Sequence, residues 1–127
     1  MENIKYIAAL AGAAAGYIFG DMDGFFIALI IFMVIDYVTG VINAILTKTL
    51  SSEIGALGIF KKVAILLLVA VGNIMDVYVL KCGAAVRTSV IFFYLCNEGL
   101  SILENIALIG VPIPEKLRDV LLKLNDD

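Results

Sequence analysis

Asn97-Glu98-Gly99-Leu100-Ser101-Ile102-Leu103-Glu104-Asn105 sits inside an apolar run, residues 88–109, that is long enough to cross a bilayer. At about 100° per residue in a helix, Tyr94, Asn97, Glu98, Ser101, Glu104 and Asn105 fall within an arc of roughly 120°. The rest of the circumference in those turns is Leu, Ile, Ala, Cys and Gly. Two carboxyls and two amides on one face of a membrane-length helix cannot face lipid, because hydrocarbon offers them no partner. They must face protein, water or one another.

Composition agrees with that reading. Of 127 residues 62% are hydrophobic and 17% charged, with no His and no Trp, against about 45–50% apolar and about 25% charged in soluble domains. The class is an all-α integral membrane protein with one membrane domain over residues 1–127. The net charge of −3 is confined to loops, termini and a few membrane positions, and no basic cluster points to nucleic acid. Cys82 and Cys96 do not make a disulfide framework. Cys96 reads as a small packing residue and Cys82 as incidental. The absence of His, of a Cys pair at ligand spacing, of a Gly-rich phosphate loop and of a nucleophile–base pair argues against an enzyme, a metal centre and a cofactor.

Four transmembrane helices are expected, near residues 4–20, 25–46, 61–80 and 88–109, with a short amphipathic helix over about 114–125. The first is short, about 24 Å against the roughly 30 Å hydrocarbon core, so three spans remain the other count. In it Ala8, Gly12, Gly16 and Gly20 recur every four residues, a flat face suited to helix packing. Its Ala/Gly-rich character is compatible with a cleaved signal but reads as a retained anchor, because a second hydrophobic segment follows at once. The second span carries Asp36 near its centre, with Thr39 and Asn43 on the same face. An ionisable residue at that depth is a functional-site hypothesis by default. Lys61 and Lys62 are expected to snorkel at the start of the third span, and Asn73 and Asp76 share a face near its end, where Asp76 is expected to reach the headgroups. Val111-Pro112-Ile113-Pro114 closes the fourth span. Beyond it Leu117, Val120, Leu121 and Leu124 form one stripe of a surface-lying or copy-bridging helix.

With four spans and both termini cytoplasmic, the inner side holds Lys5, Lys48, Lys61, Lys62, Lys116, Arg118 and Lys123, and the outer side only Lys81 and Arg87. Without the first span, only the N-terminus changes sides. Insertion energetics separate the helices. Fourteen strongly apolar residues in the second span contribute roughly −4 to −8 kcal/mol against one Asp, at about +2.5 to +3.5. The fourth span has eleven, roughly −3 to −7 kcal/mol, against Glu98 and Glu104 together with Asn97, Ser101 and Asn105. The second inserts alone. The fourth is near break-even and needs a partner for its stripe.

Asp36-Tyr37-Val38-Thr39-Gly40, the 55–62 stretch with its paired lysines, Asp76, the Asn97–Asn105 stretch and Gly110-Val111-Pro112-Ile113-Pro114 together resemble the phage lysis and toxin-secretion holin family of Gram-positive bacteria and their phages. The resemblance covers nearly the whole chain. It implies a small protein of the bacterial cytoplasmic membrane that self-assembles in the lipid bilayer and opens timed lesions. Endolysin or toxin is then released cargo, not necessarily bound, and no catalytic residue is implied. Asp36, Thr39, Asn43, Asn73, Asp76, Asn97, Glu98, Ser101, Glu104 and Asn105 become candidates for lesion lining and assembly. Two other readings stand beside it: a small proton- or cation-coupled transporter using Asp36, Asp76 and Glu98, and an anti-holin or structural subunit that forms no lesion.

Overall fold

The computed structural model describes residues 1–81 and 83–126; Cys82, read above as incidental, lies outside them. Its elements are α1 (Glu2–Phe19), α2 (Gly24–Leu46), α3 (Ser52–Ile74), which runs on through a π-helical turn over Met75–Leu80, α4 (Ala85–Ile109) and α5 (Glu115–Asp126). Among the described residues there is no strand.

Local chemistry sets the boundaries. Asp23 caps α2, its side chain accepting from the Phe26 N–H at 2.9 Å, and Ser51 caps α3 through the Ile54 N–H. Each satisfies one of the donors a helix start leaves open. The α4 helix stops at Gly110, whose left-handed φ of 105° is open to a residue without Cβ. Pro112 and Pro114 then prevent continuation.

Among the described residues, three helices are long and apolar enough to cross a membrane: α2, α3 with its π-helical turn, and α4. The span expected over residues 4–20 is not among them. The region does form a helix, but Glu2, Asn3 and Lys5 at its start and the Ala and Gly that follow dilute its hydropathy. The third span also differs from expectation, since α3 begins at Ser52, well before residue 61.

Helix α4 is the hub, packed against α2, α3 and α5, while α1 packs along α3 and reaches α2 and α4 through Phe19 at its end. Each spanning helix turns one stripe inward. On α2 it runs Phe26, Leu29, Met33, Asp36; on α4 it runs Arg87, Ile91, Leu95, Glu98, Ile102. Both follow the three- and four-residue steps of one helix face. Phe26, Leu29, Met33, Val69 and Ile91 form a dry apolar core. Polar side chains lie to either side of it along the helix axes.

The close approach of α3 to α4 depends on Gly72. A Cβ there would stand 3.1 Å from the Arg87 Cα and 3.2 Å from its backbone N, atoms that cannot rotate away. Gly72→Ala is therefore expected to destabilise the bundle by about 1–3 kcal/mol despite alanine's better helix propensity. Denaturant titration in detergent or bicelles measures it, and an unchanged or raised midpoint would show that the helices separate freely here.

Candidate functional site

Two polar layers account for most of the singled-out residues. The deeper one lies about 15–17 Å along each helix from the end nearest the 47–51 turn: Asp36 is ten residues before the end of α2, Lys62 ten into α3, and Glu98 eleven before the end of α4. Lys62 Nζ donates to Asp36 Oδ2 at 2.7 Å and to Glu98 Oε2 and Oε1 at 2.9 and 3.1 Å. Asn105 Nδ2 donates to Asp36 Oδ1 at 2.9 Å, to the Asp36 carbonyl at 3.1 Å and to Thr39 Oγ1 at 3.0 Å. Three helices are thus tied by one ammonium between two carboxyls, with an amide completing the shell of Asp36. The Lys62 expectation is corrected here. With α3 starting at Ser52, Lys62 is nearly three turns inside the helix and its side chain is 18% exposed, so it pairs inward instead of snorkelling.

An open crevice of about 260 Å³ runs from this cluster towards the 47–51 turn. Asp36, Lys62, Ser101 and Asn105 line its deep part, Thr49 and Ser51 its other end. Tyr37 stands beside it, a Cβ on Gly55 falling 3.2 Å from its hydroxyl.

The second layer lies at the opposite end. Asp76 is almost fully buried and accepts from the Val86 and Arg87 backbone N–H groups at 3.0 and 2.8 Å. It caps the start of α4 from another helix, which replaces the expected reach towards headgroups by a folding role. Asn73 Nδ2 donates to the Tyr17 and Ile18 carbonyls. The buried Arg87 guanidinium donates to the Phe19 and Asp21 carbonyls and to Asp23 Oδ2 at 2.8 Å, and stacks over Phe26. Gly20, at φ 84°, leaves room for the Arg87 and Asn73 side chains. The Phe26 N–H, helped by Arg87, holds the Asp23 carboxyl below its usual range. A lowered value means that this cap contributes stability above the ordinary carboxylate pKa and loses it as pH falls through the lowered one.

The remaining expected positions scatter. Asn97 is half-buried on α4. Glu104 is exposed and lines a groove between α4 and α5 together with Arg118 and Leu122. Asn43 Oδ1 is buried without a hydrogen-bond partner. Ala8, Gly12 and Gly16 are exposed on α1, with open space at both glycines. Cys96 is a buried free thiol. The stripe is therefore divided: Glu98, Ser101 and Asn105 serve the inner cluster, whereas Glu104 faces outward.

The arrangement fixes charges between helices. The bacteriophage holin family model matches residues 13–126, from the middle of α1 to the end of α5. The chain belongs to the bacteriophage holin family. Among relatives of this holin, a probable holin of Bacillus phage phi105 is 35% identical over 114 residues, covering 90% of this chain and 83% of that one. An uncharacterised 14.9 kDa protein of Clostridium perfringens, from the region 3′ of nagH, is 43% identical over 130 residues, covering 99% and 98%. An uncharacterised protein of Listeria innocua serovar 6a is 43% identical over 123 residues, covering 96% and 87%. No solved structure matches the holin.

Sequence reasoning missed Lys62 and Arg87 as partners. Both left a signal. Ser51 is a good capping residue, and counting from it places Lys62 at depth. Arg87 and the acidic turn at Asp21 and Asp23 have opposite charge and lie on the same expected side of the membrane.

Proposed function

We propose that this holin oligomerises in the bacterial cytoplasmic membrane and opens timed lesions that release an endolysin or, in a toxin-linked setting, a toxin. The observation that carries the reading is the Asp36–Lys62–Glu98 cluster in a chain of holin family. The inward part of the polar stripe, at Glu98 and Asn105, is satisfied inside one chain, so the protein can accumulate closed. Opening a lesion then requires the same groups to exchange their partners for water or for a neighbouring copy. Asp36, Thr39, Glu98, Ser101 and Asn105 are the lining groups in this scheme. The exposed small face of α1 at Ala8, Gly12 and Gly16 offers a packing surface between copies.

The C-terminus is cytoplasmic in this reading. Helix α1 is a fourth span that brings the N-terminus to the same side; its packing along α3 and the short turn from Phe19 to Gly24 support an antiparallel course beside α2.

Induced expression with a co-expressed endolysin tests the proposal. Membrane potential is expected to collapse abruptly, followed by lysis. Saturable, solute-specific flux without passage of a protein would replace the holin reading with a transporter, and a delay imposed on another holin without lysis would identify a regulator. Glu98→Leu leaves the Lys62–Asp36 pair charge-balanced while removing a lining carboxyl. It is expected to keep the fold and to delay or abolish lysis. Unchanged lysis timing in Glu98→Leu and Glu104→Leu would remove the stripe from the mechanism.

A further inference from the structure

The Asp36–Lys62–Glu98 cluster sets two carboxyls against one ammonium. With all three ionised, one negative charge would stand uncompensated near mid-helix, where the surroundings solvate it poorly. Such a group takes a counter-ion or becomes neutral. Lys62 Nζ already occupies the place between the carboxyls that a cation would take. Among the described residues, no group of three His, Cys, Asp or Glu side chains is spaced to hold a metal. Compensation therefore falls to a proton.

The hydrogen bonds indicate which carboxyl carries it. Asp36 receives an N–H at each oxygen, from Lys62 at Oδ2 and from Asn105 at Oδ1, the pattern of a carboxylate that only accepts. Both Glu98 oxygens share the single Lys62 nitrogen. One of those contacts can be given up, which frees an oxygen for an O–H bond.

We propose that Glu98 is a proton-binding site of the closed bundle, loaded by water from the crevice that runs from the 47–51 turn to its neighbours Asp36 and Lys62. The crevice, about 260 Å³, has room for several waters and polar walls at Ser101, Asn105, Thr49 and Ser51. In the loading step a hydronium ion transfers its proton to a Glu98 oxygen and leaves as water. The groups facing Glu98 are Asp36 from α2, Lys62 from α3, and Ser101 and Asn105 further along α4. Tyr37 of α2 lines the same crevice. Helix α5 brings Leu121 to the adjoining Gly99, and α1 packs on α3 away from the cluster. This proton site stands independently of lesion formation.

Infrared spectroscopy of the purified full chain in lipid vesicles reads it directly. The wild type is expected to show a protonated-carboxyl band at neutral pH that shifts with carboxyl-13C-labelled Glu, stays put with labelled Asp, and disappears as pH rises. Glu98→Gln removes it. Asp36→Asn leaves one carboxyl against one ammonium, so Glu98 ionises and the band is lost; Lys62→Met leaves two carboxyls and no ammonium, and the band grows about twofold. A wild type with no such band, a band that follows labelled Asp alone, or a band undiminished in Asp36→Asn would each overturn the assignment. The isotope arm needs no substitution, so it stands even where a variant fails to fold.

Discussion

Lys62→Met is expected to lower the stability of the bundle by about 3–5 kcal/mol, the usual cost of removing one partner from a buried ion pair. Both Asp36 and Glu98 lose their shared cation, with side chains only 14% and 7% exposed. With the proton of the closed bundle on Glu98, Asp36 can escape its charge only by taking up another, and both then sit as neutral acids where a strong donor stood. The methionine keeps the length of the lysine stem, so the loss isolates the ammonium from packing. Adding Asp36→Leu to Lys62→Met should recover most of the difference, because well-packed apolar groups often replace a buried ionic set at little cost. Denaturant titration of the single and double variants gives the comparison. A Lys62→Met protein within about 1 kcal/mol of wild type would place Lys62 among weak, solvent-screened pairs. In cells the single variant is expected to lyse early, because its closed state is the weakened one.

Arg87→Gln has the second largest expected effect, and it is local. The guanidinium serves the Phe19 and Asp21 carbonyls and the Asp23 carboxylate at once. A buried acceptor left unmade costs about 1–3 kcal/mol. Asp23 is 42% exposed, so water replaces much of that contact, and the two carbonyls carry most of the loss. Asp76 holds the Arg87 backbone N–H, not its side chain, so the start of α4 stays capped in the variant. Hydrogen exchange should therefore quicken in α1 and in the turn after Phe19, while α2, α3 and the first turn of α4 keep their protection. Arg87→Lys is expected to behave nearly as badly, since one ammonium cannot reproduce a planar fork spread over three acceptors. Equal loss of protection throughout the bundle would mean that Arg87 supports the core itself and not the docking of α1.

The helical membrane class, the inward face of α2 and the polar stripe of α4 were legible in the sequence because hydropathy and a 3.6-residue period carry that information directly. Asp36 and Glu98 were found by the rule that charge at membrane depth needs a partner. The identity of that partner was not legible. Lys62 follows Lys61, and paired lysines beside an apolar run suggest an interface. Only the helix start at Ser51 moves Lys62 to depth, and a capping serine is a weak signal beside a hydropathy edge. Asp76 was misread for a related reason: its distance from the helix end was visible, but its partners are backbone N–H groups, which leave no trace in side-chain patterns. The fold-back of α5 was hidden as well. Its apolar stripe was plain, yet nothing in the pattern distinguished a membrane surface from Gly99, over which a Cβ would meet Leu121 at 3.0 Å.

The bundle is also mechanically lopsided. At one end α1, α3 and α4 are locked by Arg87, Asp76 and the backbone approach at Gly72; at the other, α2 and α3 meet across Tyr37 and an open crevice. A body clamped at one end and slack at the other moves like a clothes-peg. Motion of the helices relative to one another is expected to pivot near Arg87 and to be largest near the 47–51 turn, with the Lys62 cluster as the spring between them.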